Sequence, residues 1–213
     1  LTFLMRHARN EFSRWDAAQS LLNTYIRLNV ARHQQGLPLS LPLHVADAFR
    51  AILLDETVSP ALAAEILTLP SANEMAELFQ IIDPVAIAAV REALTRTLAN
   101  ELADECLAVY NANKLDEYRV DHADIGKRAL RNTCLRYLAF GDAQLADKLV
   151  SAQYHDADNM TDAMAALSAA VAAQLPCREA LLAAYDEQWH QDGLVMDKWF
   201  MLQATSPAQD VLT

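Results

Sequence analysis

The sequence predicts an all-α protein, an irregular α-solenoid built of HEAT/armadillo-like helical hairpins, and three observations carry the prediction. Only four glycines stand among 213 residues while alanine is abundant, a balance that favours closely packed helices over sheet. Apolar residues recur at three- and four-residue spacings through most of the chain. Helix-start signals and short breaks follow one another without any stretch of strand-like alternation.

The longest-ranging pattern is Asn10 to Asn29, where Phe12, Trp15, Ala18, Leu22, Tyr25 and Ile26 form one stripe and Arg14, Asp16, Gln19 and Asn23 fall between them. Such a helix cannot bury its apolar face alone, so the helices after it are expected to stack over it. Asn10 caps its start, separating it from a short helix over Thr2 to Ala8. The segment 36–42 breaks the pattern, and a helix from about His44 to Leu54 turns Val45, Phe49, Ile52 and Leu53 inward. Ser59-Pro60 opens a short helix through Ile66, and Ser71 with Glu74 forms a capping box for the next.

Asp83-Pro84 repeats the start signal and predicts the longest helix of the chain. It runs to about Asn111 with Ile87, Val90, Leu94, Leu98, Leu102, Cys106 and Tyr110 on one face. Residues 111–122 read as a linker or a fraying end. Helices are expected near Ala123 to Phe140, Ala143 to Tyr154, Met160 to Gln174, Cys177 to His190 and Leu194 to Ala204. Asn10, Arg14, Ala17 and Leu21 fit the D-x-x-x-R-x-x-A-x-x-x-L trend of solenoid helices, and Asp158, Asp162, Ala165 and Ala169 echo it, so the repeats are degenerate.

The whole chain, 1–213, is read as a single helical-repeat domain. A formal charge of −11 repels a phosphate backbone, so nucleic acid is not an expected partner. No membrane partner is expected either, because the most apolar stretch, Ala163 to Leu175, is shorter than the roughly 20 residues a spanning helix needs. Cys106, Cys134 and Cys177 are odd in number and lack C-x-x-C spacing, which reads as reduced core thiols in a cytoplasmic protein.

No constellation of catalytic residues stands out: catalytic residues none, metal ligands none, substrate-binding residues unknown. The six histidines, His7, His33, His44, His122, His155 and His190, show no H-x-x-x-H spacing. His122 with Asp124, and His155 with Asp156 and Asp158, come nearest to a cluster and read as helix-end polar groups. Cys134 reads as a core thiol, and Glu101, Asp104 and Glu105 as a solvated acidic face. Lys127, Arg128, Arg131 and Arg136 are the one basic concentration, either a docking face or a solvated one. Tyr185, Trp189 and Trp199 are either an exposed recognition patch or packing between helices.

Taken together, RHARNEFSRWDAAQSLL at 6–22, LPLSLPLHVADAFRAILLDE at 37–56, ALRNTCLRYLAFGD at 129–142, NMTDAMAALSAAV at 159–171 and LVMDKWFMLQATSP at 194–207 resemble the C-terminal helical domain of bacterial aminopeptidase N. That family comprises zinc-dependent alanyl aminopeptidases of the gluzincin type. The resemblance implies that the chain is the N-terminal two-thirds of that helical domain, cut from a longer enzyme that removes N-terminal residues from peptides. By the same resemblance, zinc is held in the parent protein by an H-E-x-x-H helix and a downstream Glu. A G-x-M-E-N strand holds the substrate amine, and neither motif has a counterpart here, so this piece is expected to bind no zinc. The implied partners are the catalytic domain of the same parent chain, which the helical domain caps, and peptide substrates through the parent. The chain begins at Leu1 and ends at 210–213 in what reads as the first turn of another helix, as expected of a piece. The alternative is a free-standing α-solenoid that binds a protein partner on its concave face.

Overall fold

The computed structural model describes residues 1–41 and 43–208, and every regular element among them is a helix. The turn expected at 210–213 lies outside the described residues. The first three helices are α1 (Thr2–His7), α2 (Glu11–Gln34) and α3 (Leu43–Leu53). The Asn10 side chain accepts the Ser13 N–H at 3.3 Å, so the expected cap forms. Helix α2 runs past Asn29, which is buried and grips the following loop. Its amide donates to the Ser40 carbonyl at 2.9 Å and its oxygen accepts the Ser40 N–H at 2.7 Å.

The buried stripe of α2 is Ala17, Ala18, Leu21, Leu22, Ile26 and Val30. Phe12, expected inward, is 68% exposed, and Trp15 and Tyr25 are only partly buried. The buried stripe lies about a position away from the expected one, with Ala17 and Leu21 in it in place of Phe12 and Trp15. Its principal neighbours are α1, α4 and α6. Arg14 earns its place in the solenoid trend by bonding the Met5 carbonyl at 3.0 Å and Asp55 at 3.1 Å. The Thr57 hydroxyl, with Arg14 behind it, holds the Asp55 carboxyl below its usual range.

Helices α4 (Pro60–Leu67) and α5 (Ala72–Ala76) start at the expected Ser59 cap and at the full Ser71–Glu74 capping box. The single long helix expected after Asp83 is two: α6 (Pro84–Glu101) and α7 (Ala103–Ala112), interrupted at Leu102 with φ −116° and ψ 15°. No glycine or proline marks this break. Backbone bonds from Leu102 N–H to the Leu98 carbonyl and from Cys106 N–H to the Leu102 carbonyl bridge it. The chain therefore passes from α6 to α7 without a loop, and all seven residues expected inward are buried. Among the described residues α2, not this segment, is the longest helix.

The remaining helices are α8 (His122–Leu138), α9 (Ala143–Asp156), α10 (Met160–Ala173), α11 (Arg178–Trp189) and α12 (Gly193–Ala204). Their ends fall within two residues of expectation. The hub of the stack is α8, which packs against α4, α6, α7, α9 and α10, while α10 carries the chain on to α11 and α12. From α8 onward successive helices pack on one another, as in a solenoid, whereas α4 packs mainly on α8 and α6 mainly on α2. No helix among the described residues is long and apolar enough to cross a membrane.

Candidate binding cavity

Concave, partly polar cavities are where small molecules bind, so the search for a site starts from the open space between helices. A cavity of 290 Å³ lies between α6, α8 and α10. Arg91 and Thr95 of α6 face it from one side, Asn132, Thr133, Arg136 and Tyr137 of α8 from a second. On α10 the wall is Ala165, Ser168, Ala169 and Ala172, and Leu69 and Phe140 complete it. A larger groove of 610 Å³ shares Arg91, Thr95, Phe140, Ser168 and Ala172 and continues toward Leu202 of α12. The small residues of the solenoid pattern leave this space, since alanine on α10 fills less of the gap than leucine would.

The two arginines are held but not neutralised. Arg91 donates through Nε to the Pro70 carbonyl at 3.1 Å. Arg136 donates to the Thr68 hydroxyl at 3.2 Å and the Thr133 hydroxyl at 3.5 Å. No aspartate or glutamate lines the cavity. Burial, and then the like charge of Arg136, push the Arg91 guanidinium below its ordinary pKa. Below them the Tyr137 hydroxyl donates to the Leu67 carbonyl at 2.5 Å, and burial pushes that phenol up.

The basic concentration read from the sequence is not one face. Only Lys127 is exposed; Arg128 is buried, and Arg131 and Arg136 are half-buried. Arg128 stacks on the Tyr118 ring at 4.8 Å and donates to the Arg119 carbonyl at 3.0 Å. Arg131 stacks on Tyr110 and donates to its hydroxyl at 2.8 Å. The physical reason is the aliphatic stem and planar head of arginine, which let it pack against rings inside a fold where lysine would stay in water. Of residues 111–122, read as a linker or a fraying end, 111–112 close α7 and His122 opens α8, and the contacts of 113–121 tie the rest down. Arg119 pairs with the buried Asp124 at 3.0 Å and Tyr118 N–H bonds Asp158 at 3.0 Å, which straps the segment across α8 and α10.

The histidines do not converge on an aspartate or on one another. His122 is exposed at the start of α8, where Asp121 caps the helix and Asp124 is taken by Arg119. His155 is exposed and lies edge-on to the Tyr154 ring, with Asp158 already bonded to Tyr118. Among the described residues no three His, Cys, Asp or Glu side chains are grouped to hold a metal. Cys134 is fully buried, and a bond with Cys106 together with burial keeps its thiol protonated. Cys177 departs from expectation: it is only partly buried and sits at the start of α11, where burial and Asp147 push its thiol up to about 12.

Glu105 of the acidic group is not wholly solvated, since Arg50 pairs with it at 2.7 Å. The aromatic trio is packing between helices. Tyr185 is fully buried and donates to the Val195 carbonyl at 3.1 Å, and the Trp199 indole donates to the Leu182 carbonyl at 2.9 Å. Arg91 went unremarked in the sequence because, beside Glu92, it reads as an ordinary charged position on a helix. What would have singled it out is its spacing to the helix face of Thr95, one turn on, which only the fold connects to Arg136.

Comparison with known proteins places the chain. The family described as "Domain of unknown function (DUF3458_C) ARM repeats" matches residues 1–213. Aminopeptidase N of Escherichia coli strain K12 is 79% identical over 212 residues, which cover 100% of this chain and 24% of that protein. Aminopeptidase N of Haemophilus influenzae is 46% identical over 98% of this chain and 24% of its own length. The chain thus spans about a quarter of the length of the curated relatives it matches. Among solved structures, Legionella pneumophila aminopeptidase A in complex with aspartic acid matches with a TM-score of 0.83 and 26% identity, over 99% of this chain and 25% of that one. The chain belongs to the DUF3458_C family of ARM-repeat domains and is similar to the C-terminal helical region of aminopeptidase N.

Proposed function

We propose that this chain is a non-catalytic helical domain of a zinc-dependent aminopeptidase, and that it caps the catalytic domain of the same parent protein and restricts which peptides reach the metal. The observation that carries the reading is the 79% identity to aminopeptidase N along the entire chain. At that level the two share a fold and a packing surface, so the role of the region in its parent is the simplest account of its sequence.

The exposed apolar side chains support the capping part. Phe3 is 72% exposed, Ile81 87% and Leu194 80%, on three separate parts of the stack. Large apolar groups left in water at several places suit a domain that packs against further protein. The chemistry belongs to the parent: in such enzymes zinc keeps an open position for water, and a glutamate acts on that water as base. This chain contributes walls and contacts. On the same reading the parent works in the cytoplasm and this piece is the first two-thirds of its helical domain.

The test is the intact mass, zinc content and aminopeptidase activity of the native protein purified from its source. A chain several times longer than 23.6 kDa, with one zinc and release of N-terminal alanine, is the expected result. A native mass near 23.6 kDa without metal overturns the reading. The chain expressed alone is expected to hydrolyse no aminoacyl substrate.

A further inference from the structure

Seventeen basic residues face twenty-eight acidic ones in this chain, and an arginine without a carboxylate is of most interest where it lines a cavity beside a second one. Arg14, Arg50, Arg96, Arg119 and Arg178 all have one within 4.0 Å. Arg91 and Arg136 have none among the described residues, although both are half-buried and line the same cavity. Glu92, next to Arg91 in sequence, turns into the adjoining groove and pairs with Arg96 at 2.8 Å instead.

We propose that the cavity between α6, α8 and α10 binds a small organic carboxylate, held by the guanidinium groups of Arg91 and Arg136. Arg91 spends its Nε on the Pro70 carbonyl and Arg136 one terminal nitrogen on two hydroxyls. Their remaining N–H groups have no acceptor among the described residues. A guanidinium presents parallel N–H bonds that match the two oxygens of a carboxylate, and two such heads facing one space repel each other until an anion enters. Burial and the neighbouring Arg136 charge both act on Arg91 in the direction an anion would reverse.

The rest of the wall selects the ligand's body. The Tyr137 and Phe140 rings and the alanines of α10 are apolar, and Ser168 offers a hydroxyl. Such a wall suits an anion with a short carbon skeleton better than inorganic phosphate, which would leave it wetted and unused. A space of 290 Å³ is at the small end of ligand pockets and suits a body of amino-acid to dipeptide size. The proposal is independent of the aminopeptidase reading, because it concerns only side chains of this chain.

The experiment is isothermal titration calorimetry of the full-length protein with N-acetylalanine, N-acetylalaninamide and inorganic phosphate. The acetyl group removes the free amine, so neither organic probe is a substrate for release of an N-terminal residue. N-acetylalanine is expected to bind saturably, and the amide roughly tenfold more weakly or worse, since it lacks the charge. Arg91→Gln and Arg136→Gln are each expected to weaken N-acetylalanine roughly tenfold. Arg136→Lys should recover part of the loss, and Arg9→Gln, at an exposed arginine that lines neither the cavity nor the adjoining groove, should change nothing. Circular dichroism melts of every variant confirm that the fold is kept. Equal binding of acid and amide, tighter binding of phosphate, heats unmoved by the Arg91 and Arg136 changes, or no saturable heat because an acidic side chain from elsewhere in the full-length protein fills the cavity would each overturn the proposal.

Discussion

Helix α8 meets its neighbours in two different ways. Toward α4 it approaches so closely that a Cβ placed on Gly126 would lie 3.1 Å from the Ala61 backbone nitrogen and 3.3 Å from its Cβ. Toward α6 and α10 the same helix presents Asn132, Thr133 and Arg136 to a space of 290 Å³ that no side chain fills. The first contact gains dispersion and excludes water with the smallest residues available. The second forgoes that gain and places two like charges beside the gap. One side of α8 is thus packed to contact while the other borders open space.

The largest effect is expected on the closed side. Gly126→Leu would drive a branched side chain into a backbone atom that cannot step aside, at an overpacking cost of about 3 kcal/mol. Helix propensity returns about 1 kcal/mol, because glycine is the poorer helix former. The net loss of about 2 kcal/mol corresponds to a fall in Tm of roughly 4–8 °C for a chain of this size, readable in a thermal melt. An unchanged Tm would show that α4 moves freely and that the two sides of α8 do not differ in tightness.

A smaller effect belongs to the residue that joins the sides. Tyr137 lines the cavity with its ring and sends its hydroxyl to the Leu67 carbonyl at the end of α4. The last carbonyls of a helix lack partners within it, so Tyr137→Phe leaves one of them buried and unpaired. A loss of about 1–2 kcal/mol is expected, measured by urea denaturation with an unchanged m-value. A loss below about 0.5 kcal/mol would mean that water replaces the hydroxyl and that the seam is open on this side too.

The same contrast explains what could be read from the chain. Asn10, Ser59, Ser71 and Asp83, read as helix starts, cap helices in the structure, because a cap is a local event between residues three apart. The inward faces of α3, α6 and α7 followed from periodicity for the same reason. The interruption at Leu102 could not be read, since hydrogen bonds continue through it and no breaker residue stands there. Phe12 was misplaced because periodicity gives a stripe but not which end of it the neighbouring helices cover. The cavity was hidden most completely: Arg136 sat in a run of basic residues whose members turn different ways, and Arg91 meets it only through the fold.

The smallest effect, and the sharpest check on the comparison, is Ala165→Val. Ala165 lies on the cavity wall and is only partly buried, so two added methyl groups enter empty space instead of a neighbour. Valine costs about 0.5 kcal/mol in helix propensity, and the methyls recover a similar amount as they leave water. The expected net change is under about 1 kcal/mol, or less than about 4 °C in Tm. Ligand binding should respond differently, since the methyls take volume from a space already at the small end for a ligand. If the open side of α8 exists to hold a carboxylate, this variant should melt like the parent and bind N-acetylalanine more weakly. A variant that melts far below the parent would place the wall of the cavity among the tightly packed contacts, and the two sides of α8 would then be alike.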